Sequence, residues 1–75
     1  MIEKRILVAE DETASADLIR EMLAASGYAV TLCEHGAAAL EAYRERPFPV
    51  VVTDIEMPVM DGNELVTRLK KIDED

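Results

Sequence analysis

Three valines that lead straight into a carboxylate constrain this chain more than any other feature. Val50-Val51-Val52-Thr53 is β-branched throughout, and Asp54 follows at once. Such a run suits a strand covered on both faces, as in a parallel sheet. A proline-bearing loop, Ile55-Glu56-Met57-Pro58-Val59-Met60, comes next, and Asp61-Gly62 opens a helix. In an open α/β sheet, ligands bind just beyond the carboxyl ends of the strands, so Asp54 stands where function is expected. One other strand has the same character: Ile6-Leu7-Val8-Ala9 ends in Glu10-Asp11-Glu12. If the two strands are neighbours, their carboxylates share one acidic pocket.

The remaining elements fall into place around these two strands. Residues 5–9 form the first strand and Thr13 to Ala25 a helix whose apolar face is Leu18, Ile19, Met22 and Leu23. Asp17 suits the positive end of that helix's dipole. Ser26-Gly27 stops the helix, with Gly27 as a left-handed cap. Tyr28 to Cys33 make a second strand, less apolar and therefore at an edge. Glu34-His35-Gly36 is a turn, and Ala37 to Arg46 a second helix with a small apolar face. Pro47-Phe48-Pro49 breaks it and feeds the central strand, Val50 to Thr53. Asp61 with Glu64 resembles a capping box for a third helix that buries Leu65, Val66, Leu69 and Ile72. The order is βαβαβα, with no internal repeat. Right-handed crossovers place helices on both faces of a parallel sheet of order 2-1-3, which brings Asp11 and Asp54 to the same edge.

Composition closes off several function classes. The 75 residues allow one small domain, and a net charge of −8 argues against nucleic-acid or anionic-membrane binding. Cys33 is the one cysteine, which leaves neither an internal disulfide nor a thiolate metal cluster. It reads as a small buried side chain. The start resembles no signal peptide, and no apolar run approaches the ~18 residues of a membrane helix, so a cytoplasmic protein is expected.

Charge decides what an acidic pocket can do. Two unit charges ~4 Å apart repel by about 4 kcal/mol at an effective dielectric of 20. Carboxylates gathered this way call for a counter-charge, and a hard divalent cation with oxygen ligands, such as Mg2+, supplies it. A phosphoryl group could then enter, and a carboxylate could take it as an acyl phosphate. The bland alternative keeps these residues as solvated loop groups and helix caps, a reading that suits Glu12 and Asp61 better than Asp11 and Asp54. His35 reads as an exposed turn residue, and Met22, Met57 and Met60 as packing.

Three stretches resemble the receiver domain of two-component response regulators: Ile6 to Glu12, Glu34 to Leu40, and Thr53 to Gly62. The resemblance implies the three-layer, flavodoxin-like α/β fold of that family, here as its first three βα units over residues 1–75, without strands 4 and 5. It implies that Asp54 is the phosphoacceptor, charged by a histidine kinase or a small phosphodonor. It implies an Mg2+ site made by Asp11, Asp54, the backbone carbonyl of Glu56, and Glu10 through a water. The family's fourth-strand hydroxyl and fifth-strand lysine have no counterpart in these residues; Lys4, Lys70 and Lys71 are not placed to replace the lysine. Weakened phosphorylation is the expected result. A bare third-strand edge would favour a homo-oligomer, through edge pairing or exchange of elements.

Three rivals are weighed against this. A haloacid-dehalogenase-type phosphatase needs a second Asp where Glu56 stands. A flavodoxin-like flavin binder needs a Gly- and hydroxyl-rich loop where Glu10-Asp11-Glu12 stands. An inert assembly module derived from a receiver, with no phosphoryl chemistry, is the main alternative. The expectation is a phosphoacceptor, not an enzyme acting on other molecules.

Overall fold

The computed structural model describes residues 3–54, 57 and 59–74. The elements run β1 (Arg5–Ala9), α1 (Thr13–Ala25), β2 (Ala29–Cys33), α2 (Gly36–Glu45), β3 (Val50–Thr53) and α3 (Gly62–Glu74). The sheet is parallel, of order β2-β1-β3, as the pattern of strands and helices predicts. β2 starts one residue later than expected, at Ala29. α2 is shifted by one, taking in Gly36 and leaving out Arg46.

Register explains the layers. Ile6 pairs with Val50, Leu7 with Val51, Val8 with Val52 and Ala9 with Thr53. Successive side chains on a strand point to opposite faces. Leu7 and Ala9 join the main core with Ala39, Leu40 and Tyr43 of α2 and Leu65 and Leu69 of α3. Ile6 and Val8 therefore face the opposite layer, which holds α1. Leu7, Val8 and Leu65 are fully buried, and burying a side chain of this size contributes roughly 1.5–3 kcal/mol. Val66, expected in the core, is instead 40% exposed.

The α1 layer is thinner than the apolar pattern suggests. α1 packs on β2 and β1 and hardly reaches β3. Leu18 and Met22 are 59% and 62% exposed, and Ala16 is the helix's buried residue. Val50 and Val52 share the Ile6 and Val8 face, and they are exposed too. The expectation of a β3 covered on both faces thus holds on the α2–α3 side, where Val51 packs against the core, and fails on the other. The reason is placement: α1 lies over β2 and β1 and leaves β3 uncovered on that side.

Local chemistry sets the element ends. Gly27 takes φ +93°, and the Tyr28 N–H returns to the Leu23 carbonyl at 3.1 Å, as a left-handed stop requires. Asp17 falls beyond the first turn and pairs with Arg20 at 3.2 Å rather than serving the helix dipole. The α2–β3 connection is pinned to β1 by Arg5. Its guanidinium lies 3.9 Å from the Phe48 ring centroid and donates to the Pro47 carbonyl at 3.1 Å. That anchor holds β3 beside β1, and so fixes where Asp54 emerges. Among the described residues, no helix is long and apolar enough to cross a membrane.

Candidate functional site

The site assembles at the carboxyl ends of β1 and β3. Pairing of the strands ends with the Asp54 N–H donating to the Ala9 carbonyl at 3.1 Å. One step further along β1 come Glu10 and Asp11. Carboxylate oxygens of Glu10, Asp11 and Asp54 lie within 4.8 Å of one another. The sequence places these residues at neighbouring strand ends, and the structure brings all three together. The fourth expected ligand, the Glu56 carbonyl, lies outside the described residues.

The three carboxylates differ in setting. Glu10 is buried, its N–H donates to the Cys33 carbonyl at 3.0 Å, and its Oε1 accepts the Glu12 N–H at 3.1 Å. Asp11 is exposed and Asp54 half-buried. The Asp54 carbonyl accepts the Thr53 hydroxyl at 2.9 Å. At 4.8 Å, the outer bound on these separations, a charged pair costs about 1 kcal/mol in a water-like medium and about 3 kcal/mol at an effective dielectric of 20. Three hard oxygen donors converging from a buried, a half-buried and an exposed residue match the donor set of Mg2+, which keeps several waters and takes few carboxylates. The donor chemistry therefore fits the ion that the sequence points to.

Glu12 and Asp61 take the bland roles. Glu12 precedes α1 and accepts the Ser15 hydroxyl at 2.9 Å. Asp61 caps α3, accepting the Glu64 N–H at 2.9 Å. The Glu64 carboxylate lies 3.5 Å from Arg68. Cys33 is buried, and burial pushes its thiol up, so it stays a neutral packing group.

An open cleft of about 610 Å³ begins at Asp11 and runs along Glu34, His35 and Gly36 to Val59 and Met60. Of the three carboxylate residues, Asp11 is the one that lines it. Two of its residues have roles that sequence reading missed. His35 is the N-cap of α2, its Nδ1 accepting the Ala38 N–H at 3.1 Å. A His-Gly pair before an Ala-rich helix is the signal, but imidazole is not among the usual caps. Gly36 lies against Met60, a contact between residues far apart in the chain that leaves no local trace.

The profile described as response regulator receiver domain matches residues 6–75. The response regulator receiver protein CpdR of Brucella abortus is 46% identical over 72 residues, covering 96% of this chain and 60% of that protein. Among solved structures, the chemotaxis protein CheY4 of Vibrio cholerae superposes with a TM-score of 0.91 at 26% identity, covering 97% of this chain and 61% of the other. The receiver domain of the histidine kinase CKI1 from Arabidopsis thaliana, solved with Mg2+ and BeF3−, gives 0.90 at 28% identity, covering 95% and 57%. The chain thus spans about 60% of the length of these proteins.

Proposed function

The chain belongs to the response regulator receiver domain family, and on that premise we propose that it accepts a phosphoryl group on Asp54 within two-component signalling. The convergence of Glu10, Asp11 and Asp54 carries this reading. A carboxylate oxygen of Asp54 attacks the phosphorus of the donor and a P–O bond forms. The donor's P–N or P–O bond breaks, and the leaving group, an imidazole of a histidine kinase or the carboxylate of a small acyl phosphate, keeps the electron pair.

Asp11 and Asp54 would hold Mg2+ directly, with Glu10 through a water and the Glu56 carbonyl as a further ligand. When bound, the ion offsets negative charge on the phosphoryl oxygens and on the cluster. The Mg2+ in the similar CKI1 receiver domain supports this assignment. Glu10, held by the Glu12 N–H, orients the acidic pair. The chain acts as a phosphoacceptor in the cytoplasm and turns over no other substrate.

Residues 1–75 correspond in this reading to the first three βα units of a receiver. Strands 4 and 5 would supply the hydroxyl and the lysine that assist the acyl phosphate, so this stretch by itself accepts phosphate slowly. Taken by itself, it also self-associates through the β3 edge or by exchange of elements. The exposed Val50 and Val52 support that part. Sedimentation equilibrium should show a dimer or larger species; a compact monomer at high concentration rejects it.

The test of the site is an amide NMR titration with Mg2+ and fluoroberyllate together. Mg2+ alone should shift the Asp11 and Asp54 amides, fluoroberyllate should shift them further only with Mg2+ present, and Asp54→Asn should abolish both shifts. Unmoved amides in the folded wild type would leave the inert assembly reading in place.

A further inference from the structure

Gly36 opens α2 and is buried. Its φ is not in the left-handed region, so conformation does not demand a glycine there. Space does. A Cβ on residue 36 would stand 2.8 Å from Met60 Sδ and 3.1 Å from both Cβ and Cγ of Met60. The thioether could swing aside, but the Met60 Cβ is fixed to the backbone. A side chain on residue 36 therefore pushes the loop itself.

Between Asp54 and α3 the structure describes Met57 and residues 59–61, and it ties them at several points. Met57 and Met60 are both buried in the main core. Between them Val59 takes φ +69°, a conformation that β-branched residues avoid, with its side chain wholly in solvent. At the far end, the Asp61 carboxylate caps α3. A left-handed valine persists only where its surroundings hold it, and the buried Met60 is its neighbour in the chain. Met60 and Gly36 also line the same cleft as Asp11.

We propose that Gly36 and Met60 are positioning residues for the acidic cluster: Met60, seated against Gly36, sets where Val59 and Met60 stand beside Asp11 along the cleft. The proposal rests on the reading of that cluster as the Mg2+ site. Gly36 has no side chain and the Met60 thioether is a soft donor, so both act through the loop rather than on the ion. α2 and the cluster are thereby coupled, and a shift of the α2 N-terminus moves the carboxylates.

The experiment compares wild type, Gly36→Ala, Met60→Ala and the double variant. The first readout is the amide shifts of Glu10, Asp11 and Asp54 without metal, and the second is Mg2+ affinity by calorimetry. Gly36→Ala should move these amides and weaken Mg2+ binding about tenfold, the scale of removing an outer support of a metal site. Met60→Ala in the same chain should restore part of that loss, because it removes the Sδ and Cγ contacts and leaves the 3.1 Å contact with Cβ. A folded Gly36→Ala protein with unmoved amides and wild-type affinity overturns the proposal, even if its stability falls. If wild type takes up no Mg2+, the metal reading fails alone; the amides still decide, movement supporting the positioning role and stillness rejecting it. Should Gly36→Ala not fold, Met60→Ala must move the same amides, and unmoved amides there reject the proposal.

Discussion

Neutralising Asp54 should make the metal-free protein more stable. Glu10 and Asp11 are neighbours in the chain, so they repel each other unfolded as well as folded. Asp54 reaches them only because β3 pairs with β1. Folding therefore creates two new repulsions, and both involve Asp54. With oxygens within 4.8 Å, the pair with exposed Asp11 costs about 1 kcal/mol and the pair with buried Glu10 up to about 3 kcal/mol. The Glu12 N–H on Glu10 offsets part of this. Asn keeps the shape and an acceptor oxygen, so Asp54→Asn should gain about 2 kcal/mol, a rise in Tm of about 10 °C for a domain this small. The assay is thermal unfolding by circular dichroism at low ionic strength with a chelator. The gain should shrink in ~1 M KCl, where the Debye length falls to about 3 Å. Mg2+ should raise the Tm of wild type and hardly move that of the variant, since a ligand stabilises only the fold that binds it. An unchanged or lower Tm for Asp54→Asn in chelator would refute the electrostatic reasoning.

Other consequences follow from single contacts. The Tyr43 hydroxyl donates to Asp73 at 2.7 Å and joins α2 to α3; that hydrogen bond, then burial and the Asp73 charge, hold its phenol above the ordinary range. The folded state keeps this proton better than the unfolded chain, so stability should fall as pH rises above about 10. Tyr43→Phe should cost about 1 kcal/mol at neutral pH and flatten that alkaline decline; urea midpoints at several pH values check both. Val59→Gly relieves a left-handed valine whose side chain touches only solvent, and it should gain about 0.5–1 kcal/mol in urea unfolding. Gly27→Ala forces a Cβ onto a φ of +93° and should cost about 1–2 kcal/mol by the same assay; a neutral result would mean the turn rearranges.

Local signals made much of the fold legible. Gly27 and the Pro47-Phe48-Pro49 break marked element ends that the structure keeps. The strand order followed from crossover handedness and the two apolar strands, and with it came the meeting of Glu10, Asp11 and Asp54. What periodicity could not show was coverage. Leu18 and Met22 sit at helical spacing, yet nothing described stands over them, because α1 lies on β2 and β1. A period reports which residues share a face, not what lies opposite. The same limit hid the seat of Met60 on Gly36, which joins a residue before α3 to the first residue of α2. His35 escaped notice for a different reason: its capping role depends on which ring nitrogen meets the Ala38 N–H.

The most direct test of the central claim is the intact mass of the protein after incubation with a small phosphodonor, with Mg2+ or with chelator, beside Asp54→Asn. Wild type with Mg2+ should slowly gain one phosphoryl group, wild type with chelator little or none, and the variant none. A folded wild type that gains no phosphoryl group, or a variant that gains one as readily, would contradict that claim.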